Sequence, residues 1–129
     1  MNNRLDVVGI GNAMVDAIIP STKTEIEKHN INRDSMNLID ENLKNNLHKS
    51  YTIKEMAGGG SLGNSMFGIT SFGGNGSFIG KIKNDEIGVY LQKDMMREGL
   101  KFPLGFTSPD ISTGCCTIFV EEDGTRTMC

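Results

Sequence analysis

Positive charge is in short supply in this chain. Lysine and arginine together number 13 against 16 aspartates and glutamates, a formal net charge of -3. That balance leaves no electrostatic footprint for a phosphate backbone, so nucleic acid is not an expected partner. Cysteine is also scarce: Cys115, Cys116 and Cys129 are odd in number, two are adjacent, and no C-x-x-C spacing occurs. A zinc site and a disulfide framework are therefore not expected. The only histidines, His29 and His48, lie in polar stretches of helical character and read as solvated surface residues. No apolar run approaches the roughly 20 residues of a membrane span. The amino-terminal Met1-Asn2-Asn3-Arg4 leads into a short apolar run broken by Gly9, Gly11 and Asn12, unlike a secretory leader. The expected setting is cytoplasmic, without membrane contact.

Glycine, in contrast, is abundant, with 16 residues in a chain of 129. Three of them are consecutive, Gly58-Gly59-Gly60, and run into Ser61-Leu62-Gly63-Asn64. Such a run removes every Cβ from a turn, allows positive φ, and lets a bound molecule approach the main chain. Ser61 is placed to cap a helix whose buried face carries Leu62, Met66 and Ile69. Backbone N–H groups, a helix dipole and the Asn64 carboxamide would then converge, a setting suited to a polar or anionic small molecule. The alternative is that the glycines only turn a strand into a helix.

The remaining pattern alternates between strands and helices. Leu5 to Ile10 reads as a buried strand, followed by a second over Val15 to Pro20. Gly9 and Gly11 do not complete a dinucleotide fingerprint, because Met14 stands at the third glycine and more strand follows. Asp16 is the lone acid in that second run. It is either a binding carboxylate or an acid on a half-exposed strand, and alternation alone places it outside. A short helix is predicted from Ser21 to Asn30, and a short strand over Met36 to Ile39. Asp40 caps a helix through Leu43 and Leu47, and Tyr51 to Met56 leads into the glycine run. Beyond it come a turn at Gly73 to Gly76 and a strand over Ser77 to Gly80. Asn84 and Asp85 open a helix carrying Ile87, Leu91 and Met95, with Gly99 past its end. Thr107 to Thr113 is loop-like. Gly114 to Glu122 is a strand, and Asp123-Gly124 turns it into a return strand from Thr125. Repeated strand–helix alternation predicts a layered α/β fold in one domain spanning 1–129.

The segments GIGNAMVD, SMNLID, GGGSLGN, FGGNGSFIGKIKND with Gly88 beyond it, and TGCCTIFVEEDGTRTM resemble, in order and style, the amino-terminal half of the PfkB-type (ribokinase-like) sugar and nucleoside kinases. The pairing of SMNLID with DGTRTM is most similar to the adenosine-kinase-like bacterial branch. The resemblance implies a ribokinase-like α/β core with a small β-sheet lid over the substrate, cut shortly after the last lid hairpin begins. It also implies phosphoryl transfer from ATP, with Mg, to a hydroxymethyl group of a sugar or nucleoside. Residue by residue, Asn12 and Asp16 match positions that hydrogen-bond sugar hydroxyls, and Gly59, Gly60 and Asn64 match the substrate-binding glycine loop. A carboxylate accepts from two vicinal hydroxyls, and a carboxamide both donates and accepts. Met36, Cys116, Ile118 and Met128 would lie on the lid, either as an apolar wall against the sugar or base or as lid packing.

The chain departs from that pattern at Gly58, where serine is frequent, at Lys83, where a small residue is common, and at Cys115, often an arginine or another larger residue. The carboxyl-terminal half, with its D-T-x-G-A-G-D type motif, general base, anion hole and most of the ATP site, has no counterpart here. Phosphoryl transfer rests on positioning and charge stabilisation, so this chain by itself is expected to bind substrate without appreciable turnover. No catalytic residue and no metal ligand are assigned. Self-association or a complementary carboxyl-terminal half is the expected partnership, because an incomplete parallel sheet leaves an apolar edge. The alternative is a non-catalytic sugar- or nucleoside-binding module, or an inactive remnant.

Overall fold

The computed structural model describes residues 4–129; Met1-Asn2-Asn3, part of the segment on which the expectation about a leader rests, lie outside the described residues. The chain forms two compact units, residues 1–15 with 57–115 and residues 16–56 with 116–129.

The first unit is built on a parallel pair, β1 (Val7–Ile10) and β4 (Gly76–Ile79), in register from Val7 opposite Gly76 to Ile10 opposite Ile79. Helix α3 (Ser61–Ser71) packs on β1 through Leu62 and Met66. The strand permits this because Gly9 and Gly11 are bare: a Cβ at Gly9 would lie 3.0 Å from both Leu62 Cδ1 and Met66 Sδ, and one at Gly11 only 2.7 Å from Leu62 Cδ2. Helix α4 (Glu86–Arg97) buries Leu91 and Met95, one turn apart, and stops at Gly99, whose φ is +80°. The chain then returns along β4 by parallel bridges from Lys101 to Ser77 and from Phe106 to Ile82.

In the second unit the core gathers Ile19, Ile26, Ile31, Leu47, Phe119 and Cys129. Two helices serve it. The short α1 (Lys23–Glu27) is held by a capping box between Thr22 and Glu25, and α2 (Glu41–Ser50) is capped by Asp40. The four-stranded sheet has the order β3 (Glu55–Gly59), β2 (Met14–Pro20), β5 (Gly114–Val120), β6 (Arg126–Met128), with β5 and β6 antiparallel.

Several sequence expectations need correction. The segment Met36 to Ile39 is not a strand: it makes a single bridge, Met36 to Met128, and Leu38 is 99% exposed. Asn37 explains this, since its carboxamide is spent on Asn32 O, Ser35 O and Met128 O rather than leaving an extended ladder. The first helix is shorter than expected: it runs over Lys23–Glu27 from a Thr22 cap, and Asn30, at a φ of 56°, closes the turn that follows it. Neither histidine is merely solvated. His29 Nε2 is 2.9 Å from the Tyr51 hydroxyl, and His48 Nε2 is 2.9 Å from Thr117 Oγ1, which ties α2 to β5.

Candidate substrate site

The parallel register of β1 and β4 brings their carboxyl ends out at the same edge. Gly11 and Asn12 follow one strand, and Gly80 and Lys81 follow the other. This edge is where open α/β sheets bind ligands. An open crevice of about 720 Å³ lies there, walled by these residues and by Leu104, Ile111, Ser112, Gly114 and Cys115. Two glycines keep its walls made of backbone. A Cβ at Gly80 would meet Gly11 O at 2.9 Å, and one at Gly114 would meet Ala13 O at 2.9 Å. Asn12 and Lys81 are exposed, so the crevice offers a carboxamide and one cation amid apolar side chains.

The glycine run does two separate things. Gly58 and Gly59 are residues of β3, and only Gly60 takes positive φ, at +80° with ψ 150°. Gly60, not Ser61, is the N-cap of α3, and no side chain caps that helix. Ser61 is instead the first helical residue, its carbonyl accepting the Ser65 hydroxyl at 2.9 Å. A Cβ on Gly60 would lie 3.6 Å from Asn12 O, so Asn12 and Gly60 are neighbours, and Asn64 sits one exposed turn into α3 with its N–H donating to Gly60 O at 2.9 Å. At the other end of the run, Gly58 N–H donates to Asp94 Oδ2 at 2.8 Å. Asp94 is a buried carboxylate on α4, paired with Arg97.

In the second unit, β2 alternates strictly. Val15, Ala17 and Ile19 are fully buried, while Asp16 and Ile18 take the opposite, half-buried face. Asp16 is therefore not simply solvated, and burial raises its carboxyl above the ordinary 3.8. Burial also raises the Cys116 thiol, with a further push from the charge of Asp16, and lifts Cys129 to about 11. Met128 is the meeting point of the other candidates, opposite Ile118 in the β5–β6 ladder and bridged to Met36. By two-residue alternation, Cys116 shares the face of Ile118.

A family model for "pfkB family carbohydrate kinase" matches residues 5–129. The chain belongs to this family. Solved pfkB-type structures agree on the ribokinase-like fold. An adenosine kinase from Sinorhizobium meliloti is 34% identical over 96% of this chain with a TM-score of 0.81, and a probable sugar kinase from Rhizobium etli CFN 42 is 32% identical over 97% with a TM-score of 0.78. An adenosine kinase from Anopheles gambiae, solved with P1,P4-di(adenosine-5) tetraphosphate, shares the fold at a TM-score of 0.79 and 23% identity. The chain spans 38% of the length of each of the two bacterial kinases. Comparison with curated proteins finds no match.

For a pfkB-family chain, the crevice contains residues that motif reasoning did not single out, namely Lys81, Leu104, Ile111 and Ser112. Lys81 was within reach, since it directly follows a strand at the ligand-binding edge. The others enter only because residues 101–108 fold back along β4. Among the described residues no three of His, Cys, Asp and Glu gather in a way that could hold a metal, and no helix is long and apolar enough to cross a membrane.

Proposed function

We propose that this chain supplies the substrate-recognising part of a sugar or nucleoside phosphotransferase, with adenosine the first ligand to test. The observation that carries this reading is the crevice at the carboxyl ends of β1 and β4, where Asn12 and Lys81 stand among backbone walls kept bare at Gly80 and Gly114, with the positive-φ Gly60 beside Asn12. In this reading Asn12 and Asn64 donate to and accept from hydroxyls, and the backbone of Gly59 and Gly60 lies against the sugar. On the second unit, taken by itself, Asp16 is the proposed acceptor of hydroxyl hydrogens, and Met36, Cys116, Ile118 and Met128 are the proposed apolar contacts. ATP is the proposed phosphoryl donor of the complete kinase. Among the described residues no three of His, Cys, Asp and Glu gather to hold a metal, and no step is assigned to magnesium. No segment of these 129 residues matches the family's D-T-x-G-A-G-D pattern, so no general base or anion hole is assigned within them.

The test is thermal unfolding of the chain with adenosine, ribose, fructose and ATP in turn. A ligand at about a hundred times its dissociation constant stabilises the folded state by about 2.7 kcal/mol. Stabilisation by adenosine or a sugar, lost in Asp16→Asn and Asn64→Ala, is the expected outcome. A cooperative transition unmoved by every ligand would leave the glycine run a purely structural turn.

A further inference from the structure

Asp85 does more than an N-cap requires. Capping α4 takes one carboxylate oxygen, and Oδ1 serves, accepting Gly88 N–H at 2.7 Å. Yet Oδ2 accepts the Thr113 N–H at 2.9 Å, and Oδ1 also accepts the Thr113 hydroxyl at 2.7 Å, across 28 residues of sequence. The same hydroxyl accepts Lys83 N–H at 3.0 Å. Thr113 is 3% exposed, so these bonds are shielded from water and from competition by it. The closure is tight enough that Gly88 has no room for a side chain: a Cβ would lie 2.1 Å from Lys83 O and 2.7 Å from Thr113 Oγ1.

What the clasp holds is the crevice. From Ile111 to Cys115 only Thr113, bonded to Asp85, is not part of the crevice wall; Ile111, Ser112, Gly114 and Cys115 on either side of it all line the crevice. On the other side of the clasp, Lys83 lies two residues beyond Lys81, which lines the same crevice. We propose that Asp85 is a positioning residue for the substrate crevice: its carboxylate holds Thr113, whose hydroxyl in turn takes the Lys83 N–H, and so fixes the wall from Ser112 to Cys115 against the ends of β1 and β4. Its bearing on binding rests on the substrate reading above.

Three variants of the whole chain test it. Asp85→Asn keeps an oxygen for Gly88 but presents an amide donor to a donor at Thr113. Thr113→Val deletes the hydroxyl at nearly constant shape, and Thr113→Ser retains it. Hydrogen exchange of the ligand-free protein is read at the 112–115 amides and along α4, and adenosine affinity is read by calorimetry. Asp85→Asn should accelerate exchange at 112–115 on the order of tenfold with α4 little changed, and weaken adenosine by a similar factor. Thr113→Val should accelerate the Lys83 amide, and Thr113→Ser should behave as the parent. Equal loosening of α4 and of 112–115, or unchanged exchange at 112–115 in both Asp85→Asn and Thr113→Val, would reduce Asp85 to a helix cap and overturn the proposal. Should Asp85→Asn fail to fold, the threonine pair decides by the same readings. If the parent binds no adenosine, the substrate reading fails for that ligand, while the exchange comparison still decides the clasp.

Discussion

Gly60 and Gly68 both belong to the helix that follows the glycine run, yet a methyl group should act on them in opposite directions. Gly60 has space for a Cβ, the nearest atom being 3.6 Å away, but its φ of +80° with ψ 150° is a conformation almost confined to glycine. Gly60→Ala should therefore cost about 1–3 kcal/mol through backbone strain. Gly68 lies within α3 with nothing in 4 Å of an added methyl, so Gly68→Ala should stabilise by about 1 kcal/mol. Urea denaturation of the two variants reads both signs. Asp16 poses a different question, one of pH. Burial raises its folded pKa above 3.8, so the folded state holds the proton more tightly than the unfolded chain does. Its contribution to stability is greatest below that value, falls as pH rises toward the raised folded pKa, and is flat beyond. Asp16→Asn should accordingly melt higher than the parent at pH 7, with the difference shrinking as the pH falls from the raised folded pKa toward 3.8 and levelling off below it, a trend that a pH series of thermal melts would show.

Helix α4 anchors two separate segments, Asp85 reaching Thr113 beside the crevice at its start and Asp94 reaching Gly58 in β3 near its end. Asp94 is only 5% exposed, so Asp94→Ala leaves the Gly58 N–H without its acceptor as well as a small void, and a loss of about 2–4 kcal/mol is expected in chemical denaturation. Elements governed by local chemistry were legible in the sequence. Asp40 with Leu43 and Leu47 announced α2, Asp85 with Leu91 and Met95 announced α4, and Asp123-Gly124 announced the β5–β6 turn. Elements governed by distant partners were not. Gly58 and Gly59 read as a turn but extend β3, and Met36 to Ile39 reads as a strand but yields one bridge because Asn37 bonds its own loop. The site divides in the same way. Asn12 and Gly60 follow from motif and backbone freedom, whereas Leu104, Ile111 and Ser112 enter the crevice only through the distant fold-back of the segment after α4.

At the scale of the whole molecule, the parallel pair is the exposed feature. Among the described residues β1 pairs only with β4, and Val8 and Ile10, two apart on one face of the strand, are 48% and 77% exposed. Parallel strands are ordinarily covered on both faces, so the chain should self-associate as its concentration rises. Sedimentation velocity should show this for the parent and a shift toward monomer for Ile10→Lys; a parent that stays monomeric at high concentration would contradict it. The close approach at Gly88 reaches further than any single variant. Every missense change one nucleotide from a glycine codon adds a Cβ, and here that atom would fall 2.1 Å from a backbone oxygen. Position 88 is therefore closed to stepwise drift: in a saturation library its column should be emptied almost regardless of the amino acid, while Gly73, Gly99 and Gly124, with open space around them, tolerate replacement at the expense of backbone strain alone.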